Sequence, residues 1–567
     1  YRAFGGCKNL ESIYIPARTV NIERDILGQC ENLKKIEVAE NNPVYDSRNN
    51  SNALIKSDTN TLVIGCKNTK IPSSITAISS EAFSHCTGLE SIIIPSSVTE
   101  IKDRTFEYCS SLKNVNIPSS ITVIGNNAFA YCTSLKSIDI PSSVTTMRGG
   151  TFTGCSNLKD ITIPSSITIL SEGMFEGCSS LENIIVPSGV TTIEYGVFQY
   201  CTSLKSIDIP GSVTEIGENI FVGCDNLESI HIADDNKVYD SRDNCNALIK
   251  SIDNTLLEGC KNTKIPSSVV TIEEGAFHDC TITTINIPEG IRNIKEKAFW
   301  RCTSLKTVEL PDTLENIGEE CFEECTSLEN IVIPSSIENI EGRTFVNCTS
   351  LQEVKLSEGI NDIRYRAFEG CTNLQKVEMP STIEEIGEAA FEGCINLKNI
   401  DLPNAIEKIG ESAFEECISL ENLDLPEKAN TIEKYAFKGC KNLTKITMPI
   451  YVSYLDIDEE DDDEDDYSLK DLYNVCKIEE GAFLQCTKLK DIYYAGTKTE
   501  WEILKTGIKN EDNENLLDAT VHYGNISLPK PTPTPEPSKP QPSNPSKPDN
   551  SSKNNSVSVI KQGDVVT

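Results

Sequence analysis

Histidine and tryptophan are scarce in this chain of 567 residues, with four and two copies respectively. His85, His231, His278 and His522 lie far apart with no paired spacing, which removes the usual general bases and the imidazole half of a zinc site. There are 23 cysteines but no Cys-x-x-Cys, so zinc-ribbon and thioredoxin-type motifs are absent. The chain also lacks a nucleophile elbow and a phosphate loop. No apolar run approaches the ~18 residues of a membrane-spanning helix. Positive charge is in deficit, 51 Lys and Arg against 86 Asp and Glu, a formal charge of −35. That balance argues against a phosphate-tracking nucleic-acid binder and against an anionic membrane surface. It favours basic or divalent-cation partners, or simply solubility. These absences predict a non-enzymatic protein with no cofactor and no catalytic residue.

What is present is a repeat. Cys86, Cys109, Cys132, Cys155, Cys178, Cys201 and Cys224 are 23 residues apart, and the seven from Cys302 to Cys440 repeat the step. Eighteen cysteines share the phase, and all but Cys30 follow a Phe by three positions; these are all 17 Phe of the chain. One unit reads Cys109-x-x-Leu112-x-x-Val115-x-Ile117-Pro118, then Ile121-x-x-Ile124, then Ala128-Phe129. Leu-x-x-Ile-x-Ile is a short strand stopped by a proline that cannot continue a ladder. The Ser-Ser that often follows is turn chemistry. One unit buries too few side chains to offset the entropy of ordering its own backbone, so units must stack as a repeat solenoid. The cysteine column reads as inert buried thiols, because in-register neighbours point the same way and disfavour a disulfide dihedral. Cys321 replaces the Ala of other units, and Cys66, Cys245, Cys260 and Cys476 fit no slot.

The unit Cys-x-x-Leu-x-x-Ile-x-Ile-Pro-x-Ser-Val-Thr-x-Ile-x-x-x-Ala-Phe resembles the BspA-like leucine-rich repeat, a family found mainly in surface proteins of bacteria and some protists. The resemblance covers about residues 1–495. It implies a leucine-rich repeat rod with a parallel sheet of short strands on its concave face, and short strands, turns or 3-10 pieces on the convex face. It further implies a cell-surface or extracellular location.

Four features interrupt or follow the solenoid, expected over residues 1–492. Two segments, about 39–70 and 233–264, match each other at an offset of 194 and are expected as hairpins leaving the rod, structural elaborations or ligand-binding knobs. An acidic loop spans about 456–471, with nine consecutive acidic residues from Asp458 to Asp466. It reads as a solvated loop or, less simply, a calcium site. A cap with Trp501 as its plug is expected over 493–526. A Pro-rich linker, 527–556, holds nine prolines within 529–548, and 557–567 reads as the start of a further module. The chain opens at Tyr1 inside a repeat, so the natural N-terminus is expected upstream.

Binding is the remaining role. The outward position between the two Ile of each strand forms a stripe that varies while the core positions repeat. It includes Glu309, Lys355, Glu378, Asp401 and Asp424 as candidate binding residues, with Thr447 and Tyr493 after them. Residues 86–224 carry 13 acidic and 7 basic groups; the equally long 302–440 carries 28 and 11. The acidic end would suit a basic partner, or the stripe is an unconstrained solvated face; one sequence does not separate the two. The expected function is a surface-displayed or secreted recognition and adhesion protein that binds a protein or glycan ligand. Alternatives are the non-catalytic arm of a larger enzyme or assembly, and an intracellular scaffold. Oligomeric state and ligand identity do not follow from the sequence.

Overall fold

The computed structural model describes residues 3–22, 26–454, 473–510 and 512–524. The acidic loop, the Pro-rich linker and the segment beyond it lie outside the described residues.

The described chain is a parallel β-solenoid of about 19 turns with few helices, a leucine-rich repeat rod. Nearly every turn contributes one short strand to the sheet face, as in Ser206–Ile209, Ser229–Ile232 and Glu353–Leu356; the turn of Asp401 does not. A two-residue strand adds to a second ladder; one stretch of this runs through Asn339–Ile340, Asp362–Ile363, Glu385–Ile386, Lys408–Ile409, Thr431–Ile432 and Lys477–Ile478. Register is fixed at one period: Ile184 pairs with Ile207, and Ile207 with Ile230. Where a proline follows the strand it leads a tight turn, with Ile121 N–H donating to Pro118 O at 3.0 Å. The following Ser reaches back one turn, as Ser120 Oγ donates to Val98 O at 2.6 Å.

The Phe corner joins the turns most tightly. Phe83, Phe106, Phe129, Phe152, Phe175, Phe198 and Phe221 form one stack, centroids 5.2 to 5.9 Å apart, and Phe277 to Phe483 form another. Alternate residues around most of the Phe donate to the next turn: Arg104 N to Asn126 O, Phe106 N to Ala128 O and Tyr108 N to Ala130 O, each 2.8 Å. This requires left-handed backbone two residues before and two after the Phe, as at Arg104 (φ 55°) and Tyr108 (φ 59°). The in-phase cysteine closes the corner. Cys109 Sγ–H donates to Phe83 O at 3.1 Å, Cys132 to Phe106 O at 3.2 Å, and the pattern recurs along the rod. The buried thiols are therefore donors as well as small apolar fillers, and all 23 cysteines are free.

The two inserts do not leave the rod. Each is an antiparallel hairpin, Leu54–Lys56 with Thr61–Ile64 and Leu248–Lys250 with Thr255–Glu258, whose second strand pairs in parallel with the next turn. Leu54 faces the core before it, while Ala53 and Ile55 face the core after it; Leu248, Ala247 and Ile249 repeat this at the second insert. Strand alternation thus makes each hairpin a septum dividing the core. Gly65 and Gly259 replace the Phe of a turn: a Cβ on either would lie 2.1 Å from Cε1 of the next ring, Phe83 or Phe277. Cys66 and Cys260 pin the septa, each Sγ donating at 3.3 Å to the Asn52 or Asn246 carbonyl. Cys245 and Cys476 are buried, as is Cys321 in its Ala slot.

Three ladders end at residues 497–523. Thr520–Tyr523 pairs with Asp491–Tyr494 to finish the sheet, and Ile508 bridges Ile478 to finish the second ladder. Buried Asn513 accepts from Phe483 N–H at 3.1 Å, standing in for the carbonyl of an absent next turn. Helix Lys498–Leu504 starts with a capping box between Thr497 and Glu500 and buries Trp501 against Tyr494, 5.5 Å between centroids.

Two outcomes are expected. In native protein a small thiol reagent will modify exposed Cys7 quickly and leave the column protected. Burial pushes the Cys155, Cys201 and Cys371 thiols up to about 12, so little thiolate exists at neutral pH. Rapid native labelling of these column cysteines, read by mass spectrometry, would contradict the stacked corner. The second outcome concerns Glu258, 6% exposed, which accepts from Ile220 N–H at 2.9 Å while burial lifts its carboxyl to about 8 from 4.5. An acid raised on folding withdraws stability as pH climbs from about 4.5 to about 8, at about 1.4 kcal/mol per unit, and no further above that. Glu258→Gln keeps the acceptor without the titration. Urea unfolding of this variant is expected to show a gain over the parent that grows with pH across that window and then levels off.

Candidate binding face

On the sheet face the residues between the two core positions stand outward because successive strand side chains alternate. Ile93, Asp139, Ile185, Asp208, His231 and Val332 are all exposed, Ile185 at 83%. Of the sequence candidates, Glu309 ends the strand Thr307–Glu309 beside Asn286. Lys355 sits between Val332 and Glu378 in register. Glu378 is already partnered: Lys376 pairs with it and, at 2.7 Å, with Glu353. Lys376 holds the Glu378 carboxyl below its usual range, helped by the charge of Lys355. Asp401 is exposed but outside any regular strand, and Asp424 is exposed at the end of Asn422–Asp424. Neither carboxylate has an ion pair among the described residues. The five thus share one face without converging on a pocket.

Charge along the rod is partly neutralised between turns. Lys408 reaches Glu385 at 3.0 Å, Lys438 reaches Glu415 at 2.6 Å and Arg364 pairs with Glu341, each one period apart. With 28 acidic and 11 basic groups in 302–440, complete pairing would still leave 17 carboxylates uncompensated.

The stripe changes character at its C-terminal end. Thr447, expected outward, is only 3% exposed. Its register partner is Tyr493, and Lys445 Nζ lies 4.6 Å from the Tyr493 ring centroid. His522, assigned to the cap by sequence, in fact extends the stripe by one strand. It stacks on Tyr493 at 4.7 Å, and its Nε2 lies 2.8 Å from Asp491 Oδ1. The alternation Thr520-Val521-His522-Tyr523 carried that signal, hidden by its distance from the last cysteine. Among the described residues there is no grouping of three His, Cys, Asp or Glu able to hold a metal ion, and no helix is long and apolar enough to cross a membrane.

The chain belongs to the BspA-type leucine-rich repeat family: the model of that repeat region, in six copies, matches residues 1–57, 55–179, 136–247, 250–375 and 361–458. Among solved structures, a leucine-rich repeat protein from Eubacterium ventriosum is 24% identical, with 58% of this chain and 83% of that one covered at a TM-score of 0.45. A leucine-rich cell surface protein from Faecalibacterium prausnitzii is 26% identical, covering 82% and 98% at a TM-score of 0.34. The pneumococcal vaccine antigen PcpA is 16% identical, covering 83% and 94% at a TM-score of 0.28. No curated protein matches. A repeat rod of this family points, in coarse terms, to binding and recognition.

Proposed function

We propose that the chain is the recognition rod of a surface-displayed or secreted adhesion protein, and that its sheet face binds a protein or glycan ligand with basic groups at the acidic end. The observation that carries the reading is the exposure of Asp401 and Asp424 on neighbouring turns without ion pairs among the described residues. Like charges one strand apart repel, and a cationic partner relieves that repulsion. Glu378, held by Lys376, and Lys355 on the two preceding turns bound that acidic pair on one side, and Glu309 adds a further carboxylate to the same face.

The test has two arms. Antibodies raised against residues 1–526 should label intact, unpermeabilised producing cells, and protease shaving should remove the label; signal only after permeabilisation overturns display. For the face, surface plasmon resonance with a decalysine peptide compares the parent with Asp401→Lys/Asp424→Lys and with Glu384→Lys/Glu407→Lys, the same charge change on the second ladder. The sheet-face variant is expected to lose at least fivefold more affinity than the control. Equal losses would reduce the effect to net charge and sink the assignment.

A further inference from the structure

The N-terminal and C-terminal stacks differ where each turn passes from the proline into the two-residue strand of the second ladder. Four successive N-terminal turns, at 119–123, 142–146, 165–169 and 188–192, carry no charged residue there. All six equivalent stretches from 312–316 to 427–431 carry at least one, in slots such as Glu315, Glu338, Glu384 and Glu407. Glu100 and Glu215 bound the uncharged strip on the turns at either side. In place of the glutamates stands a rank of exposed threonines, Thr122, Thr145, Thr168 and Thr191, the first three each two residues after a half-buried serine. Register keeps the rank in line, since Val123 pairs with Thr146 and Ile169 with Thr192. The hydroxyl hydrogens point to the preceding turn. Thr122 Oγ1 donates to Thr99 O at 3.4 Å, Thr145 Oγ1 to Thr122 O at 3.4 Å and Thr191 Oγ1 to Thr168 O at 3.2 Å. The serines do the same: Ser120 Oγ donates to Val98 O at 2.6 Å and Ser143 Oγ to Ile121 O at 2.7 Å.

We propose that this strip is a binding site for an uncharged, extended glycan chain lying along the rod. It is a second site, built from other residues than the sheet-face stripe, and it does not depend on that reading. The balance of donors and acceptors selects the class. A hydroxyl that has given its hydrogen to the backbone offers only lone pairs, so the ligand must bring donors. Sugar hydroxyls are such donors, whereas carboxylate and sulfate oxygens only accept. The strip holds no cation, and Glu100 and Glu215 at its ends repel an anionic polymer. Arg148 and Glu194, past the buried Met147 and Ile193, add one charge of each sign. The threonine methyls, half-buried Val123 and exposed Ile169 supply apolar contact for the C–H faces of sugar rings. Four turns at ~4.8 Å make the strip about 19 Å long, with acceptors recurring once per turn as hydroxyls recur once per sugar unit. Two residues wide, it is far smaller than the ~800 Å² per partner of a stable protein interface, which disfavours a folded protein as the occupant.

Saturation-transfer NMR on the full chain tests this with cellopentaose and xylopentaose as neutral probes and penta-galacturonate as the acidic one. At least one neutral probe is expected to receive saturation, and the acidic probe not to. Thr122→Val/Thr145→Val/Thr168→Val keeps the shape, removes the acceptors and is expected to weaken neutral-probe binding at least fivefold. Thr162→Val makes the same change at an exposed position of the sheet face and is expected to leave it unaltered. Thr145→Glu/Thr168→Glu installs the pattern of the C-terminal turns, in a slot that holds Glu384 and Glu407 there. It is expected to abolish binding while the urea unfolding transition is retained, which keeps the test valid if the triple variant misfolds. No transfer to either neutral probe at millimolar concentration, equal transfer to penta-galacturonate, a loss in Thr162→Val equal to that in the triple variant, or undiminished transfer to both strip variants would each overturn the proposal.

Discussion

Most turns of this rod complete their Phe corner by borrowing carbonyls from the turn that follows. The N–H groups of residues such as Arg104, Phe106 and Tyr108 have no acceptor within their own turn, and a buried amide without a partner costs about 1–3 kcal/mol. That demand explains why the period is held so closely from turn to turn: a slipped register would strand the corner's donors and unstack a ring at once. It explains the cysteine as well. A small apolar side chain with a single weak donor reaches the preceding Phe carbonyl without filling the space the next ring needs. It also sets what ends the array, since Asn513 must supply the acceptor that Phe483 would otherwise lack.

The same demand shows which parts of the fold a single sequence discloses. Positions that meet the same surroundings in every turn, the Phe, Cys, Leu, Ile and Pro columns, announce themselves by repetition. The left-handed positions do not, because Arg104, Tyr108, Glu320 and Ala389 all adopt that backbone and share no side-chain chemistry. The inserts were legible as hairpins from their turn-rich centres but not as septa. Leu54 and Ile55 face two different cores, and a period-2 pattern buried on both faces reads like an edge strand with few apolar residues. The candidate face was legible as a column, since alternation alone sets which residue stands outward. Its end was not: Thr447 is buried, and its register partner Tyr493 is one strand away in the sheet yet two periods on in sequence.

Electrostatics act on this scaffold in two ways. Cross-turn pairs such as Lys438 with Glu415 are neighbours because the period makes them so, and exposed pairs of this kind contribute little each. They still matter for recognition, because they silence charges that would otherwise compete for a ligand. Asp401 and Asp424, without ion pairs among the described residues, are then left as uncompensated negative charge on the sheet face. A rod held together by its backbone can carry such repulsion, since the carboxylates sit at positions the stacking does not use.

The internal duplication ties these strands together. Both septa satisfy the same backbone demand with the same glycine and the same Asn and Cys contacts, so either copy can vary wherever those contacts are not involved. The second copy fills its interior with Phe221 and Val222 and sets Glu258 against a backbone donor, at the price of a buried acid. The first has Leu27 and Gly28 in those places. Large-to-small change beside a septum ordinarily destabilises by leaving a cavity, yet here the neighbouring turns are held by hydrogen bonds that do not depend on the missing side chains.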